Sequence, residues 1–304
     1  MRELSIIIPV FNSASCLEDT VLTTIREIEK FERNYEIILV DDGSEDNSWE
    51  TIKKLKNINN RIIGVRLSKN YGQHAATICG FQYAKGNLVL TMDDDLEVHP
   101  AEMEKLITAQ KTSNSDIVYG VYTKISQSKL RLVFTKLYKF IAKIEGSEKG
   151  KGSSYRILKI SLAKKIATNH KQFVFIDELC LWYTQKVLFI PVETNKNYLK
   201  KTRYKMKGLF SLTGTVVMFS STFPLKLVTQ MGLLLSTINF LLGVRYLVKK
   251  FYFKIEVAGY TSIIVSILFS TGLIIFCIGI LAQYISQILR SVNNFPAYSE
   301  DEIC

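Results

Sequence analysis

The sequence predicts an α/β fold, in which a mostly parallel β-sheet carries helices on both faces, followed by a membrane-associated helical region. Up to residue 205, short β-branched runs alternate with charged or amphipathic stretches, which is typical of parallel strands joined by helices. Beyond that point the chain contains two long uncharged apolar stretches. Hydrophobic residues make up 47% of the 304 residues, which is enough for a sizeable core.

Five apolar runs are the predicted strands of this sheet. They are SIIIPVF (5–11), YEIILVDDGS (35–44), RIIGVRLS (61–68), NLVLTMDDD (87–95) and DIVYGVY (116–122). In an open sheet of this kind, ligands bind beyond the carboxyl ends of the strands. The polar residues that directly follow the strands are therefore the first site candidates: Asn12, Asp41, Asp42, Lys69, Asn70 and Asp93 to Asp95.

The first connecting segment predicts an amphipathic helix. Leu17, Val21, Ile25 and Ile28 recur on one helical face, and Ser15 with Glu18 matches a capping box at its start. The domain that these strands and helices form is expected to span residues 1–205. Because it begins with a strand pattern and no signal-peptide pattern, we expect it to stay in the cytoplasm.

The second half of the chain predicts a membrane hairpin. No charged residue lies between Lys226 and Arg245 or between Glu256 and Arg290, and each stretch approaches or exceeds the roughly 20 residues that span a bilayer. We expect spans at about 225–247 and 257–286 within residues 224–290, and a cytoplasmic tail at 291–304. Residues 206–223 follow the basic run KKTRYKMK and carry apolar residues at helical spacing, which predicts an interfacial amphipathic helix.

Charge and cysteine content exclude several classes of protein. The net charge of +11 suits an anionic membrane surface or a phosphorylated substrate. Nucleic-acid binding is disfavoured because the basic residues concentrate near the predicted membrane junction and no reading module is recognisable. The five cysteines are widely separated and lack metal-ligand spacing, which argues against both a disulfide framework and a zinc site.

The acidic triplet Asp93 to Asp95 points to a divalent cation. Crowded carboxylates at the end of a strand repel one another unless a cation lies between them. Mg²⁺ and Mn²⁺ prefer a few carboxylates together with water and phosphate oxygens, so a D-x-D pattern suits a metal-bound diphosphate, with Asp93 and Asp95 as ligands. The alternative is a solvated acidic turn before the next helix. His99 either approaches this site or caps that helix.

Four segments in this order resemble the family 2 glycosyltransferases of the GT-A, Rossmann-like fold: IIIPVFN, IILVDDGSEDNS, LSKNYGQHAATICGFQYAKG and VLTMDDDLEVHPAEM. GSSYRILK (152–159) and the junction KKTRYKMKGL are similar to the branch that contains dolichol-phosphate mannose synthase and bactoprenol glucosyltransferases. The resemblance implies inverting transfer of a sugar from a nucleotide sugar to a polyprenyl phosphate. It also implies a Mg²⁺ or Mn²⁺ cofactor, a cytoplasmic catalytic domain on the inner membrane and a homo-oligomer.

The resemblance implies roles for individual residues. Those expected to bind the nucleotide sugar are Pro9, Phe11, Asn12, Asp41, Asp42, Lys69, Asp93 and Asp94. The metal ligands are expected at Asp93, Asp95 and Glu97, where Glu97 replaces the Gln that is usual in the branch. Arg156 and Arg203 match the basic residues that meet phosphate groups. Arg203 is equally well read as part of a basic run that binds lipid headgroups.

Asp177 and Glu178 leave a second acceptor class open. A phosphate acceptor needs no protein base because its second pKa is about 6, whereas a sugar hydroxyl does need one. The expected catalytic residues are therefore Asp93, Asp95, Arg156 and, as a base for a hydroxyl acceptor, Asp177. The alternative for these acidic residues is a structural role, in which Glu178 pairs with Lys186 or Arg156. A third hypothesis is a membrane scaffold without catalytic activity.

Overall fold

A computed structural model of the chain describes residues 2–122, 153–169, 176–194, 260–292 and 298–304, together with isolated positions between 230 and 252. The chain divides into two compact units. The first consists of Met1–Gly208 and Phe295–Cys304, and the second of Leu209–Asn294. The carboxyl-terminal residues thus belong to the same unit as the first two hundred residues.

The first unit is built on one eight-stranded sheet. Its strands are β1 (Leu4–Val10), β2 (Tyr35–Asp41), β3 (Ile62–Leu67), β4 (Leu88–Thr91), β5 (Ile117–Tyr122), β6 (Arg156–Lys159), β7 (Val187–Val192) and β8 (Glu300–Ile303). They lie in the order β7-β5-β6-β4-β1-β2-β3-β8. Strand β1 pairs in parallel with β2 and β4, β2 with β3, and β5 with β7. Strand β6 is antiparallel to β4 and β5, and β8 is antiparallel to β3.

Helices cover both faces of the sheet. They are α1 (Leu17–Ile28), α2 (Ser48–Ile58), α3 (Gln73–Tyr83), α4 (Met103–Ser113), α5 (Ile160–Asn169) and α6 (Ile176–Tyr183), with a short 3₁₀ helix at Pro100–Glu102. Helices α1, α2 and α4 pack on one face and α3, α5 and α6 on the other. The sequence prediction of an α/β fold with a mostly parallel, doubly covered sheet is confirmed.

The central strand β1 shows why its sequence is a nearly continuous apolar run. Successive side chains of a strand point to opposite faces, so a strand covered on both sides buries all of them. Ile6 and Ile8 pack with the α1 side, and Ile7 packs with the α3 side. Helix α3 approaches this strand closely, because a Cβ atom on Gly80 would lie 2.4 Å from Cγ2 of Ile7.

The predicted capping box at the start of α1 is wrong. The N-cap is Cys16 and no side chain caps the helix. The first turn instead uses the backbone carbonyl of Ser13, which accepts hydrogen bonds from the amides of Cys16 and Leu17. The helix therefore begins one residue later than the box requires, although its predicted apolar face is buried at Leu17, Val21 and Ile28.

The second unit contains α7 (Tyr260–Val292), a helix of 33 residues. In the part of the chain that the structure describes, no helix meets the length and apolarity of a bilayer span. Residues 206–223, the predicted interfacial helix, and most of the first predicted span lie outside the described residues. The membrane hairpin stays a prediction.

Candidate active site

The predicted site residues converge where β1, β2 and β4 end. These strands are parallel neighbours, so their carboxyl ends lie at one edge of the sheet. The loop after β1 and the loop after β4 meet directly, since the amide of Phe11 donates to Oδ2 of Asp94 at 3.4 Å. The start of α3 and the residues before β6 complete this edge.

The end of β1 presents one exposed ring and one specialised turn. Pro9 lies within the strand opposite Val40, and the ring of Phe11 is 44% exposed. Asn12 adopts a left-handed backbone with φ of 51°, a conformation that Asn tolerates better than most residues. Its amide donates to Oγ of Ser44 and its Oδ1 accepts from the amide of Glu45, both at 2.9 Å. The β1 and β2 loops are thereby held together.

Asp41 is the first of two aspartates at the carboxyl end of β2. It is fully buried at the end of β2, and burial raises its pKa. Oδ2 of Asp41 accepts from the amide of Ser44 and lies 3.4 Å from Nε of Arg66. Oδ1 has no hydrogen-bond partner among the described residues. A buried carboxylate oxygen without a partner is costly, and an N–H group of a ligand would satisfy it.

Asp42 has a different role from its neighbour. Its two carboxylate oxygens accept hydrogen bonds from the amides of Tyr71 and Gly72 at 2.7 and 2.8 Å. It therefore fixes the turn that leads into α3. The ammonium of Lys69, in the same loop, lies 5.1 Å from the centre of the Tyr71 ring. Of the two aspartates that follow β2, only Asp41 keeps a free oxygen among the described contacts.

Asp93 is held at both carboxylate oxygens. Nε2 of Gln73, at the start of α3, donates to Oδ1 at 2.5 Å, and Oγ of Ser154 donates to Oδ2 at 2.6 Å. Burial raises the pKa of Asp93, and the charge of Asp95 acts in the same direction. Burial also raises the pKa of Asp94, to about 6. The crowding that the sequence predicted is thus present at this strand end.

A small pocket brings together the three predicted metal ligands. Asp93, Asp95 and Glu97 line it with Met92, Val98, Tyr122 and Tyr155. Leu96 adopts a left-handed backbone with φ of 56°, and the amide of Glu97 bonds Oδ1 of Asp95. Within the described residues, no three acidic, cysteine or histidine side chains stand close enough to form a finished metal site. The donor set itself, oxygen ligands at a strand end, fits Mg²⁺ or Mn²⁺.

His99 lies beside this pocket but serves the helix. Its Nδ1 accepts a hydrogen bond from the amide of Ala101 at 3.2 Å, so it caps the 3₁₀ helix. Of the two predictions made for this residue, capping is the one that the contacts confirm.

Arg156 and Asp177, predicted for separate tasks, are partners. Nη1 of Arg156 forms an ion pair with Oδ1 of Asp177, and Nε of Arg156 donates to Oγ1 of Thr91 at 3.2 Å. Only 3% of Arg156 is exposed. His74 lies near both charges, and burial together with Arg156 lowers its pKa to about 4, against the opposing charge of Asp177. The sequence alone suggests Glu178 as an acidic partner of Arg156, whereas the structure places Asp177 there.

Sequence reasoning missed Gln73, Thr91 and Ser154. Each lies in a segment that resembles the family, but none was singled out, because they become site residues only when α3, β4 and β6 meet. Two predicted residues are not tested by these contacts. Arg203 and the side chain of Glu178 lie outside the described part of the chain.

Two protein families match the chain, one after the other. Residues 5–173 match the family described as Glycosyl transferase family 2. Residues 223–288 match the family described as GtrB C-terminal hairpin. The first match contains every described residue of the site except Asp177.

One curated relative matches almost the whole chain. It is the undecaprenyl-phosphate 4-deoxy-4-formamido-L-arabinose transferase of Proteus mirabilis, 30% identical over 303 residues, which is 98% of this chain and 93% of the relative. Among solved structures, glucosyl-3-phosphoglycerate synthase of Mycobacterium tuberculosis with Mn²⁺, UDP-glucose and phosphoglyceric acid has a TM-score of 0.51 at 16% identity. That match covers 71% of this chain and 78% of the mycobacterial chain, and it shows a shared fold.

Proposed function

Because the chain belongs to glycosyl transferase family 2, we propose that it transfers a sugar from a nucleotide sugar to the phosphate of a polyprenyl phosphate. One observation carries the proposal. The similarity to an undecaprenyl-phosphate sugar transferase continues through both units of the chain, including the part that matches the GtrB hairpin. The acceptor is therefore an undecaprenyl-type lipid, and the product serves the synthesis of cell-envelope glycans.

The donor binds at the carboxyl ends of β1, β2 and β4. Asp41 accepts a hydrogen bond from the nucleobase of the donor through Oδ1, the oxygen that lacks a partner among the described residues. Pro9, Phe11 and Asn12 form the wall of the nucleotide pocket, and Lys69 lies at its rim. Asp42 supports the pocket indirectly, by holding the turn before α3. Asp93 and Asp94 face the ribose and the sugar.

Asp93, Asp95 and Glu97 hold the divalent cation in this proposal. The pocket supports it, since all three residues line the same small space and carboxylate oxygens are suitable ligands for these ions. When bound, Mg²⁺ or Mn²⁺ would neutralise charge on the departing nucleoside diphosphate. The carboxylates of this chain then serve to place the donor diphosphate next to the acceptor.

The chemistry is an in-line displacement at the anomeric carbon. A phosphate oxygen of the acceptor forms the new bond to C1, the bond from C1 to the diphosphate breaks, and the configuration at C1 inverts. The acceptor phosphate is mostly ionised near neutral pH, so it loses no proton to the protein in this step. The protein supplies positioning and electrostatic stabilisation.

The second unit anchors the enzyme in the membrane as a two-helix hairpin, with the donor site on the cytoplasmic face. The match of residues 223–288 to a hairpin family supports this arrangement, as do the two uncharged stretches of the sequence. The basic residues at 200–207 lie at the junction, where anionic headgroups and the acceptor phosphate would be found. Arg203 is the candidate phosphate contact within that run.

A hydroxyl acceptor is the second candidate, and no contact among the described residues favours it. Its base would be Asp177 or Glu178. Oδ1 of Asp177 is engaged by the buried Arg156. A scaffold without activity predicts that no nucleotide sugar is consumed at all.

The test is a transfer assay with membranes that contain the full chain. Labelled nucleotide sugars are supplied one by one, and the lipid extract is treated with mild acid. We expect one donor to label the lipid fraction, and mild acid to release the sugar, because a sugar linked through a monophosphate is acid-labile. Asp95→Asn should lower transfer by about a hundredfold, whereas Asp116→Asn, far from the pocket, should not.

Label that stays on the lipid after mild acid would instead indicate attachment through a hydroxyl. No consumption of any donor by the wild-type protein would contradict the proposal.

A further inference from the structure

Five residues from four parts of the fold form one connected network of polar contacts. It starts at Asp177 on α6, whose carboxylate pairs with Arg156 at the start of β6. Nε of Arg156 donates to Oγ1 of Thr91 at 3.2 Å, and the same hydroxyl donates to the backbone oxygen of Ser154. Oγ of Ser154 then donates to Oδ2 of Asp93 at 2.6 Å. The network therefore ends at Asp93, a carboxylate of the proposed donor pocket.

Strand pairing fixes the middle of this network. In the antiparallel pair of β4 and β6, Thr91 lies directly opposite Arg156. Residues opposite each other in a sheet project to the same face, so their side chains meet without a loop having to place them. Asp93 follows β4 by two residues and Ser154 precedes β6 by two. Asp93 and Ser154 therefore lie at the same end of this strand pair.

The guanidinium of Arg156 is enclosed. Its side chain is 4% exposed, and Cζ lies 5.8 Å from the centre of the Tyr119 ring. A buried cation is costly unless it is paired and hydrogen-bonded, and Asp177 supplies the pair. Asp177 engages Nη1 and Thr91 engages Nε, and the enclosed side chain would have to move to contact a substrate phosphate. The observed contacts suit a fixed support better than a ligand contact.

We propose that Arg156 and Asp177 are positioning residues, which act through Thr91 and Ser154 to fix Asp93 for binding of the donor diphosphate and its cation. The proposal deepens the proposed function and rests on it. It gives Arg156 a different task from contact with the acceptor phosphate, and Asp177 a different task from that of a base. Supporting contacts of this kind typically change metal affinity by about 10- to 100-fold when they are removed.

The test measures binding on the donor side in the absence of any acceptor. The purified full-length protein is titrated with Mn²⁺ alone, followed by electron paramagnetic resonance, and then with Mn²⁺ and the nucleoside diphosphate of the active donor, followed by calorimetry. We expect Thr91→Val, Ser154→Ala and Asp177→Asn each to weaken diphosphate binding by about tenfold. Among these variants Thr91→Val removes one hydroxyl and keeps the shape of the side chain.

A second ion pair on the same strand provides the matched control. Nζ of Lys159 lies 2.9 Å from Oδ1 of Asp116, and these side chains are 33% and 29% exposed. The pair has no hydrogen bond toward Asp93 among the described contacts. Asp116→Asn should therefore leave Mn²⁺ and diphosphate binding unchanged. Thermal unfolding of every variant identifies any that fail to fold. Arg156→Lys is included because it keeps the positive charge and loses the planar guanidinium group.

The kinetic pattern separates the three roles. A positioning role predicts weaker diphosphate binding and a lower kcat with an unchanged KM for the lipid acceptor. If Arg156→Lys raises only the acceptor KM, or if Asp177→Asn abolishes turnover while diphosphate binding survives, the positioning role is wrong. Equal Mn²⁺ and diphosphate binding in wild type and Thr91→Val overturns it as well. Failure of the wild-type protein to transfer any sugar would instead overturn the proposed function.

Discussion

His74 illustrates how a single residue in this site responds to its surroundings. It is the second residue of α3 and lies near both Arg156 and Asp177. Burial and the guanidinium of Arg156 lower its pKa to about 4, so the imidazole is neutral at neutral pH. A neutral imidazole adds no second positive charge beside the buried arginine. His74 therefore lies beside the Arg156–Asp177 ion pair as a neutral group.

This arrangement predicts a pH-dependent stability. An unfolded His has a pKa of about 6.5, so between that value and about 4 the unfolded state binds the extra proton. The contribution of His74 is therefore present above pH 6.5 and is lost as the pH falls toward 4. We expect the wild-type protein to lose about 1–2 kcal/mol at pH 5 relative to His74→Gln. Chemical unfolding in detergent, followed by tryptophan fluorescence, measures this difference.

The comparison with His74→Gln is needed because Asp94 acts with the opposite sign. Burial raises its pKa to about 6, so the folded state takes up a proton there first and gains stability as the pH falls. That contribution is the same in both proteins and cancels in their difference. A difference that does not change between pH 7.5 and pH 5 would show that His74 is not held neutral.

At the same scale, the sequence predicts part of the site and misses part of it. Asp41, Asp93 and Asp95 could be found because each lies at or just after the end of a strand, and the ends of parallel strands share one edge, whereas Glu97 was indicated only by the resemblance to the family. Gln73 could not, because its role depends on where the start of α3 falls relative to β4. The pairing of Arg156 with Asp177 was not predicted either, because the sequence alone suggests Glu178 as an acidic partner of Arg156 and the packing of α6 brings Asp177 there.

At the scale of elements, three of the eight strands (β6, β7 and β8) were not predicted, and β8 is the one whose sequence least resembles a strand. Its sequence, EDEI, carries three acidic residues and has no apolar alternation. It forms a strand because the edge of β3 offers unpaired backbone groups. The amide and carbonyl of Gly64 bond Cys304, and the amide of Ser68 bonds the carbonyl of Ser299. The five predicted strands, by contrast, are apolar runs in the core.

Two glutamates anchor β8 to helices on opposite faces of the sheet. Oε2 of Glu300 accepts from the hydroxyl of Tyr83 on α3, and Oε2 of Glu302 accepts from Nε1 of Trp49 on α2. Glu302 pairs with Arg66 and Glu300 pairs with Leu67, and the register of the two strands shifts between these pairs. Such an irregularity bends the strand and redirects its side chains.

We expect loss of this anchor to destabilise the first unit. Replacing both Glu300 and Glu302 by Ala should lower the free energy of unfolding by about 2 kcal/mol, at roughly 1 kcal/mol for each hydrogen bond. Hydrogen exchange of the Gly64 and Ser68 amides should accelerate, because the strand that protects them is held less firmly. Mass spectrometry of the full-length protein measures both amides.

Asp301 supplies the control for this experiment. It is exposed and lies between the two anchors in the same strand. Asp301→Ala removes a similar charge and should leave exchange in β3 unchanged. Equal protection in the double variant and in Asp301→Ala would mean that backbone pairing alone holds β8.

At the scale of the whole molecule, the chain combines a donor domain with a helical unit of a different chemical character. Helix α7 has 33 residues, which corresponds to about 50 Å of helix, against about 30 Å for the apolar core of a bilayer. Large apolar side chains along it are exposed: Ile263, Ile267, Ile274, Ile278, Leu281, Ile285 and Ile288. An exposed apolar stripe of this length is costly in water, and in the proposed hairpin lipid would cover it.

The proposed hairpin therefore predicts that the full chain behaves as an integral membrane protein. It should stay in the membrane pellet after an alkaline carbonate wash and be released by detergent. Replacing Ile274 and Ile278 by Asp should move a large share of the protein into the wash, because each charge at the centre of a span costs about 2.5–3.5 kcal/mol. Immunoblots of pellet and supernatant measure the distribution.

Ile58 provides the matched control for this change. It lies at the end of α2 in the first unit and is 73% exposed, more than either isoleucine of α7. Ile58→Asp should leave the protein in the pellet, since the first unit is not expected to cross the bilayer. If the wild-type chain itself appears in the carbonate supernatant, the hairpin is wrong, and the lipid acceptor would have to reach the donor site by another route. If both substitutions release the protein equally, its attachment depends on its fold as a whole and not on α7.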